Sequence, residues 1–239
     1  MKLYQDIAKF YDLLYSYRDY DSEARFLLRE LGEKEGARIL DVACGTGSHL
    51  TAIRRMRHSL ILFGVDINKE MLRVARKKNL EARLVWGDMR NFRINEEFDL
   101  LFCLSSSIQY NLTEDDLIGT LSNFRRHCPQ GKIIFDLAYC KERWKEGYTN
   151  ITANSNGKYD VVELFTSHSK DAISLWNPLY LIKNNSTGKI DMYVDQHRIR
   201  IYGIDEMKKI LKRAGLRFRL KYGFEEGEEN GTPIFIARA

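Results

Sequence analysis

The sequence predicts an α/β protein: a doubly wound, seven-stranded, mostly parallel sheet with an N-terminal helical cap and an inserted antiparallel β meander. From Arg38 to Asp136, short apolar runs alternate with segments of helical periodicity, which is the pattern of parallel βαβ units. After Trp144, strand-like segments follow one another with only turn residues between them, which is typical of an antiparallel meander. A last helix and two strands complete the chain.

The N-terminal segment, residues 1–32, reads as two helices that are rich in tyrosine. Tyr11, Leu14, Tyr15 and Arg18 share one helical face at i, i+3, i+4 and i+7 spacing. Such a stripe is usually buried as core packing. The alternative is that the segment covers a ligand as a lid.

The remaining elements follow from their periodicity. Strands are predicted at 38–43, 60–66, 82–88, 98–105 and 131–139, with helices between them that begin at Gly47, Asn68 and Thr113. The meander is predicted at 148–203, and the final helix and strands at 204–239. We therefore expect a single domain, 1–239, with its α/β core at 36–145.

Composition limits the classes of function. The chain has 239 residues, 44% of them hydrophobic, a net charge of +5, and no apolar run near the roughly 18 residues of a membrane span. Its N-terminus lacks the apolar core of a secretory signal, so a cytoplasmic protein that does not enter membranes is expected. Four cysteines without a CxxC pair and five scattered histidines predict no metal site. The basic stretches at 54–58 and 73–78 read as solvated helix faces, which disfavours nucleic acid as a partner without excluding it.

A tight turn follows the first predicted strand, in the sequence ILDVACGTGSHL at 39–50. Gly45 and Gly47 permit positive φ and let backbone N–H groups approach a ligand. Asp66 ends the second strand about 20 residues later, which is the usual offset for a carboxylate that binds ribose hydroxyls. Together these features predict an adenosine site.

The same turn disfavours a dinucleotide. A third glycine, which lets helix and strand pack beneath a pyrophosphate, is replaced by Leu50, and Asp41 would repel the phosphates. A ligand with an ammonium group and no phosphate fits better, and S-adenosylmethionine is such a ligand. An NAD-dependent enzyme is correspondingly disfavoured.

With these motifs in place, the chain resembles the class I S-adenosylmethionine-dependent methyltransferases, which have a Rossmann-like fold. Within them it is most similar to small-molecule N-methyltransferases, namely the dTDP-aminosugar N,N-dimethyltransferases and the glycine/sarcosine methyltransferases. The resemblance rests on DVACGTGSHL at 41–50, GVDINKEML at 64–72, WGDMRNF at 86–92, FDLLFCLSSSIQY at 98–110 and the GLRFRL strand after the last helix.

The resemblance implies a set of cofactor-binding residues. Ala43, Gly45 and Gly47 would line the methionine portion, Asp66 and Ile67 the ribose and adenine edge, and Asp88 and Met89 the adenine amino group and ring face. Leu104 would lie under the methionine, Tyr11 and Arg18 would close over its carboxylate, and Asp41, Cys44 and Met71 complete the set. For Asp88, a purely local role in capping the next turn is the alternative. Asp66→Ala is expected to weaken cofactor binding and to leave the fold intact.

The acceptor is expected to be a small-molecule amine, methylated on nitrogen by in-line displacement with S-adenosyl-L-homocysteine as the second product. The three prolines exclude the Asn/Asp-Pro-Pro-aromatic motif of methyltransferases that act on exocyclic amino groups of bases or on glutamine. Catalytic candidates are Tyr15, Tyr110, His197 and Asp136. His197 would be an apt base near neutral pH, and a strand histidine satisfied within the sheet is the alternative.

Two other functions stay open at this stage. One is an RNA or protein methyltransferase with the same cofactor site, which the positive charge favours. The other is a regulatory protein that binds S-adenosylmethionine without catalysis. The meander at 148–203 is expected to supply acceptor specificity or the surface of a homodimer.

Overall fold

The structure of the protein is a computed structural model, and it describes residues 1–78, 81–228 and 230–239. Its strands are β1 (Arg38–Val42), β2 (Ile61–Asp66), β3 (Ala82–Trp86), β4 (Leu100–Cys103), β5 (Lys132–Asp136), β6 (Thr149–Ser155), β7 (Tyr159–Lys170), β8 (Ile173–Trp176), β9 (Leu179–Asn184), β10 (Ile190–Val194), β11 (His197–Arg200), β12 (Arg217–Tyr222) and β13 (Pro233–Arg238). The helices are α1 (Tyr11–Leu14), α2 (Tyr20–Leu31), α3 (Ser48–Met56), α4 (Lys69–Arg76), α5 (Glu114–His127) and α6 (Ile204–Arg213). Short 3-10 turns occur at Ala8–Phe10 and Ser107–Tyr110.

The main sheet has seven strands in the order β12-β13-β5-β4-β1-β2-β3. All neighbouring pairs from β3 to β5 are parallel, and β13 is antiparallel to both of its neighbours. The predicted doubly wound, Rossmann-like sheet is thereby confirmed. The strand order reverses between β1 and β4, and this reversal opens a crevice at the carboxyl ends of the strands.

Both faces of this sheet are buried, which explains its apolar strands. Leu40 of β1 packs in one core with side chains of α5 and α6, whereas its neighbour Ile39 packs in a second core with side chains of α2, α3 and α4. Alternation along the strand thus divides a single apolar run between two helical layers.

The strand predicted at 98–105 is shorter in the structure. β4 ends at Cys103, because Ser105 and Ser106 adopt left-handed conformations with φ of 63° and 56°. The chain therefore turns sharply at the strand's end and leads into the 3-10 turn that follows.

The inserted strands form a second, antiparallel sheet in the order β10-β9-β7-β8-β11, with β6 paired to β7. The N-terminal segment packs on this sheet: Leu3, Ile7, Phe10, Leu14 and Tyr15 share a core with Val161, Tyr180 and Ile182. The first predicted N-terminal helix is reduced to a 3-10 turn and the four residues of α1. Much of the predicted tyrosine stripe is therefore core packing.

Gly64 of β2 occupies a position with no room for a side chain. A Cβ there would lie 2.8 Å from Cys44 Sγ and 2.9 Å from Leu84 Cδ2. We expect Gly64→Ala to lower the free energy of unfolding by about 1–3 kcal/mol through overpacking. Urea unfolding measures the change. Gly119→Ala in α5 is the matched control: its Cβ would meet no atom within 4 Å, and greater helix propensity should stabilise by up to about 1 kcal/mol. Equal effects of the two substitutions would contradict this packing.

Candidate functional site

The glycine turn follows β1 at the sheet's crevice. Ala43, Gly45 and Gly47 all have positive φ, of 62°, 53° and 75°. The turn closes through a 2.8 Å hydrogen bond from Gly47 N–H to Cys44 O, and α3 begins directly after it. Three left-handed residues in five explain why small residues are required here.

Asp66 joins this turn to the next one. Its Oδ2 accepts a hydrogen bond from Gly45 N–H at 2.8 Å, and its Oδ1 accepts one from Asn68 N–H at 2.7 Å. The carboxylate is 6% exposed, and burial raises its pKa although both hydrogen bonds act against that shift. Asp66 is therefore a structural residue of the turn as well as a residue of the crevice.

Two adjoining cavities open on the turn. The outer cavity has a volume of about 280 Å³ and the inner cavity one of about 40 Å³, and both are lined by Tyr11, Ala43, Gly45, Ser105 and Ser107. Of the other predicted residues, Asp66, Ile67, Met71, Asp88, Met89 and Tyr110 line the outer cavity, and Asp41, Cys44 and Leu104 line the inner one.

Asp41 is the most unusual group of the inner cavity. It is 2% exposed, and its Oδ2 has no hydrogen-bond partner among the described residues. Burial, with further contributions from the charges of Asp66 and Glu23, raises the pKa of Asp41 well above its usual value. A buried carboxylate with an unused oxygen beside a cavity is suited to a cationic ligand group.

Five predicted residues do not line either cavity. Gly47 ends the turn and is the N-cap residue of α3. Arg18 pairs with Glu23 at 2.8 Å and donates a hydrogen bond to Ser105 Oγ, so it is one contact away from the cavity wall. Tyr15 donates its hydroxyl proton to Glu163 Oε1 at 3.0 Å. The other two are His197 and Asp136.

His197 is fully buried and reaches the outer cavity only through a tyrosine. Its Nδ1 is 2.8 Å from the Tyr110 hydroxyl, which in turn is 2.8 Å from the Tyr4 hydroxyl. On its other side, Nε2 is 3.3 Å from Asp195 Oδ2. Burial lowers the pKa of His197 to about 4, although Asp195 acts in the opposite direction. At neutral pH the ring is therefore uncharged.

Asp136 supports the loop after β4. Its Oδ1 accepts a hydrogen bond from Ser106 N–H at 2.8 Å. The Ser106 hydroxyl in turn accepts one from Ala138 N–H at 2.9 Å. Burial raises the pKa of Asp136 to about 6. The carboxylate holds the left-handed turn in place and is absent from the lining of both cavities.

For Asp88, the structure shows the local capping role and also places the side chain in the lining of the outer cavity. The side chain accepts a hydrogen bond from Arg90 N–H at 2.9 Å and pairs with the Arg90 guanidinium at 2.6 Å, which lowers the pKa of Asp88. It therefore caps the turn after β3, and it also lines the outer cavity.

Sequence reasoning missed several lining residues. The outer cavity is also lined by Met1, Tyr4, Val65, Asn68, Gly87, Arg90 and Asn111, and the inner one by Tyr20, Thr46, Ser48 and His49. Tyr4 and Tyr20 lie in the tyrosine-rich N-terminal segment, and that enrichment could have indicated them as lining residues. Asn111 follows a 3-10 turn and carries no sequence signal of its own.

A separate cavity of about 270 Å³, here called the insertion cavity, lies between the loop after β5 and the second sheet. Its lining is mostly aromatic: Tyr139, Trp144, Tyr148, Phe165 and Trp176, with Ala138, Arg143, Lys145, Ser167, Ser174 and Ile199. The indole N–H of Trp176 is buried there without a hydrogen-bond acceptor among the described residues.

Within residues 1–78, 81–228 and 230–239, no three His, Cys, Asp or Glu side chains are grouped so as to hold a metal ion. No helix in that part of the chain is both long and apolar enough to cross a bilayer.

Comparison with known proteins finds similarity to methyltransferases. Residues 39–131 match a family model described as a methyltransferase domain. Over 236 residues the chain is 29% identical to the dTDP-3-amino-3,6-dideoxy-alpha-D-glucopyranose N,N-dimethyltransferase of Streptomyces fradiae, with 96% of this chain and 89% of that protein covered. The fold is similar to that of DesVI from Streptomyces venezuelae, with a TM-score of 0.84 at 25% identity over 97% of both chains. It is also similar to that of the sugar N-methyltransferase KedS8 from Streptoalloteichus, with a TM-score of 0.80 at 25% identity over 96% of this chain and 93% of that one. These similarities support an S-adenosylmethionine-dependent methyltransferase.

The cavities of this methyltransferase fit its cofactor chemically. S-adenosylmethionine carries an ammonium group, and the orphaned Asp41 Oδ2 is a buried acceptor for one. The absence of the phosphate-binding third glycine also agrees with a ligand that has no phosphate.

Because Asp66 accepts two backbone N–H groups, its removal should affect the methyltransferase fold as well as its ligand. We expect Asp66→Ala to weaken S-adenosylmethionine binding and also to lower the free energy of unfolding by about 1–3 kcal/mol, since two partly buried donors lose their acceptor. The sequence-based expectation of an intact fold is revised accordingly. Calorimetric titration and urea unfolding measure the two effects. Asp205→Ala, on the exposed start of α6, should change neither, and an Asp66→Ala variant of wild-type stability would contradict the role in the turn.

Proposed function

We propose that this methyltransferase adds methyl groups to the free amine of a small molecule, and that its acceptor is an amino sugar linked to a nucleotide. The observation that carries the proposal is the extent of the similarity. The relatives named as N,N-dimethyltransferases of dTDP-linked amino sugars, and the sugar N-methyltransferase KedS8, match along nearly the whole chain, including the N-terminal segment and the inserted sheet. The N-terminal segment lines both cofactor cavities, and the inserted sheet packs against that segment.

For the cofactor, we propose that Asp41 binds the ammonium group and that Asp66 and Ile67 bind the ribose and adenine edge. Met71, Asp88 and Met89 would hold the adenine, with Ala43, Cys44, Gly45, Gly47 and Leu104 around the methionine portion. Tyr11 would cover that portion from the N-terminal segment. Arg18 would reach the methionine carboxylate only by exchanging its contact with Glu23 or Ser105. When bound, S-adenosylmethionine supplies a methyl group on a positively charged sulfur.

For the acceptor, we propose that Tyr110 orients the amine. Its hydroxyl proton is directed to His197 Nδ1, because burial keeps that ring neutral and able to accept. The Tyr4 hydroxyl would then donate to the phenol oxygen of Tyr110, which keeps one lone pair for an N–H of the acceptor. An amine bound in this way keeps its own lone pair free to form the new bond.

This assignment changes the roles of two catalytic candidates. His197 does not line the cavity, so we propose that it acts through Tyr110 as a positioning residue rather than as the base. Asp136 would likewise act by positioning, through the loop that carries Ser105 and Ser106. Both roles agree with the burial of the two side chains.

The other partners stay predictions. Arg55, Arg57 and Arg73 of the basic stretches pair with acidic side chains, which supports solvated helix faces rather than an RNA surface. A homodimer would have an available surface on edge strand β10, where Ile190 and Met192 are 59% and 66% exposed.

Cofactor affinity should depend on pH through Asp41. Its pKa in the free protein is raised, so binding a cation requires the carboxyl to lose its proton, and affinity should fall about tenfold per pH unit below that pKa. Calorimetric titration with S-adenosylmethionine between about pH 5 and pH 8 measures this. Asp41→Asn should weaken binding at least about tenfold at neutral pH and flatten the profile. Asp191→Asn, on exposed β10, should match the wild type, and an unaltered profile in Asp41→Asn would count against the assignment.

The acceptor proposal is tested by S-adenosylhomocysteine release with nucleotide-linked amino sugars, amino acids, simple amines and RNA. Turnover is expected with the nucleotide-linked amino sugars. Tyr110→Phe should lower kcat about ten- to hundredfold and leave cofactor affinity unchanged, because orientation of the acceptor is lost. Tyr222→Phe is the matched control, because it removes the same hydroxyl group at the end of edge strand β12. If RNA were the only acceptor of the panel that is methylated, the amino-sugar acceptor would be refuted. Full activity of Tyr110→Phe would refute the role of Tyr110 in orienting the amine.

A further inference from the structure

Glu163 is a buried acidic residue that neither the sequence patterns nor the proposed mechanism uses. It lies on β7 and is 2% exposed. Alternation along β7 places it on the same face as Val161, which packs under the N-terminal segment, and Phe165, which lines the insertion cavity. Glu163 is therefore located between the cap and that cavity.

The carboxylate has no cationic partner. Among the described residues, no Lys, Arg or His side chain is within ion-pair distance of it, and Oε1 accepts a 3.0 Å hydrogen bond from the Tyr15 hydroxyl. Tyr180 is opposite Glu163 in the β7–β9 pair, and its buried hydroxyl, like that of Tyr15, interacts with the carboxylate and lowers the pKa of Glu163 against the effect of burial. A buried carboxylate without a balancing cation is thus flanked by two tyrosine hydroxyls. Burying such groups is unfavourable unless a ligand completes their interactions.

The surroundings of Glu163 connect it to both sides of the crevice. The ring of Tyr15 is 4.7 Å from that of Tyr11, which lines the two cofactor cavities. On the opposite side, burial and the charges of Tyr17 and Glu163 raise the pKa of Tyr139, a residue of the insertion cavity, to about 12. A group held at Glu163 would thus lie between the cofactor cavities and the insertion cavity.

We propose that Glu163 binds the amine of the acceptor in its ammonium form and removes the proton before methyl transfer. This inference rests on the proposed function and names the residue that recognises the amine. Tyrosine rings beside a carboxylate are the chemistry that binds ammonium groups, since ring faces and the anion both attract the cation. No other buried carboxylate outside the cofactor cavities combines these features in the described part of the chain.

The proposed step balances. The ammonium gives one proton to the Glu163 carboxylate, which becomes a neutral carboxyl, and the nitrogen recovers its lone pair. That pair forms the N–C bond while the electrons of the broken S–C bond return to sulfur. The methylated product leaves as a new ammonium, and Glu163 releases its proton to solvent. Burial already raises the pKa of Glu163, which favours its acceptance of a proton.

The test compares an amine with its hydroxyl counterpart. The probes are the nucleotide amino sugar named for the Streptomyces fradiae relative and the same molecule with a hydroxyl in place of the amine. Their affinities are measured by calorimetry in the presence of S-adenosylhomocysteine, so that no turnover occurs. The wild type should prefer the amine at least about tenfold, and Glu163→Gln should lower that ratio to about one. Affinity for S-adenosylmethionine should not change, and Glu163→Asp should recover part of the preference.

Glu146→Gln makes the same substitution at an exposed site near the insertion cavity and should keep the wild-type ratio. An unchanged ratio in Glu163→Gln would overturn the proposal. If that variant does not fold, the wild type still decides, because equal affinity for both probes is incompatible with an ammonium site. If the wild type binds neither probe, the nucleotide-linked class is wrong, and the comparison is made with whichever amine the panel shows to be methylated. A wild type that methylates no amine overturns both proposals.

Discussion

A carboxylate buried without a cation at the end of β1 is the constraint on which the site depends. Asp41 pairs in the sheet with Gly64 and Phe102, so it is enclosed by the strands on both sides of the point where the strand order reverses. The sheet can keep such a group only because the crevice opens above it. The backbone of the glycine turn is held by Asp66, which accepts a hydrogen bond from Gly45 N–H. The turn therefore does not need Asp41 as an acceptor, and Asp41 Oδ2 stays without a partner among the described residues. The stability of the turn and its ligand preference therefore have one physical origin.

The fold and the cofactor cavity could be predicted from the sequence because their signals are local. Alternating periodicity determined the sheet, and the spacing from Gly45 to Asp66 depends only on one βαβ unit. Residues that act across the fold were different. His197 is predicted as a catalytic candidate from its place in the sequence, but its separation from the cavity by Tyr110 depends on packing between β11 and the turn after β4. Glu163 gave no signal, because one acidic residue in an alternating strand usually faces solvent.

The cap and the insertion are far apart in sequence but form one structural unit. Their shared core is supplemented by polar contacts, such as the 3.0 Å hydrogen bond from Asn154 Nδ2 to Leu14 O and the 2.8 Å bond from Leu3 N–H to Asp195 Oδ2. Asp195 also adjoins His197, so the same carboxylate ties the N-terminal segment to the ring behind Tyr110. A substitution in either segment is therefore expected to alter the acceptor side of the crevice as a whole, while the cofactor turn retains its own supports.

The proposed assignments also resolve an electrostatic conflict. The donor carries a positive sulfur, and an amine arrives at neutral pH as a second cation, so the two would repel each other strongly in a site that excludes water. Asp41 and Glu163 place one carboxylate on each side, which lets both cations enter. Removal of the acceptor's proton by Glu163 then eliminates the repulsion at the moment when nitrogen and methyl carbon must approach. Because the resulting carboxyl is neutral and buried, it is in the state that its surroundings favour. Burial of Glu163 without a cation, unfavourable in the free protein, would on this view be the property that makes proton removal from the acceptor efficient.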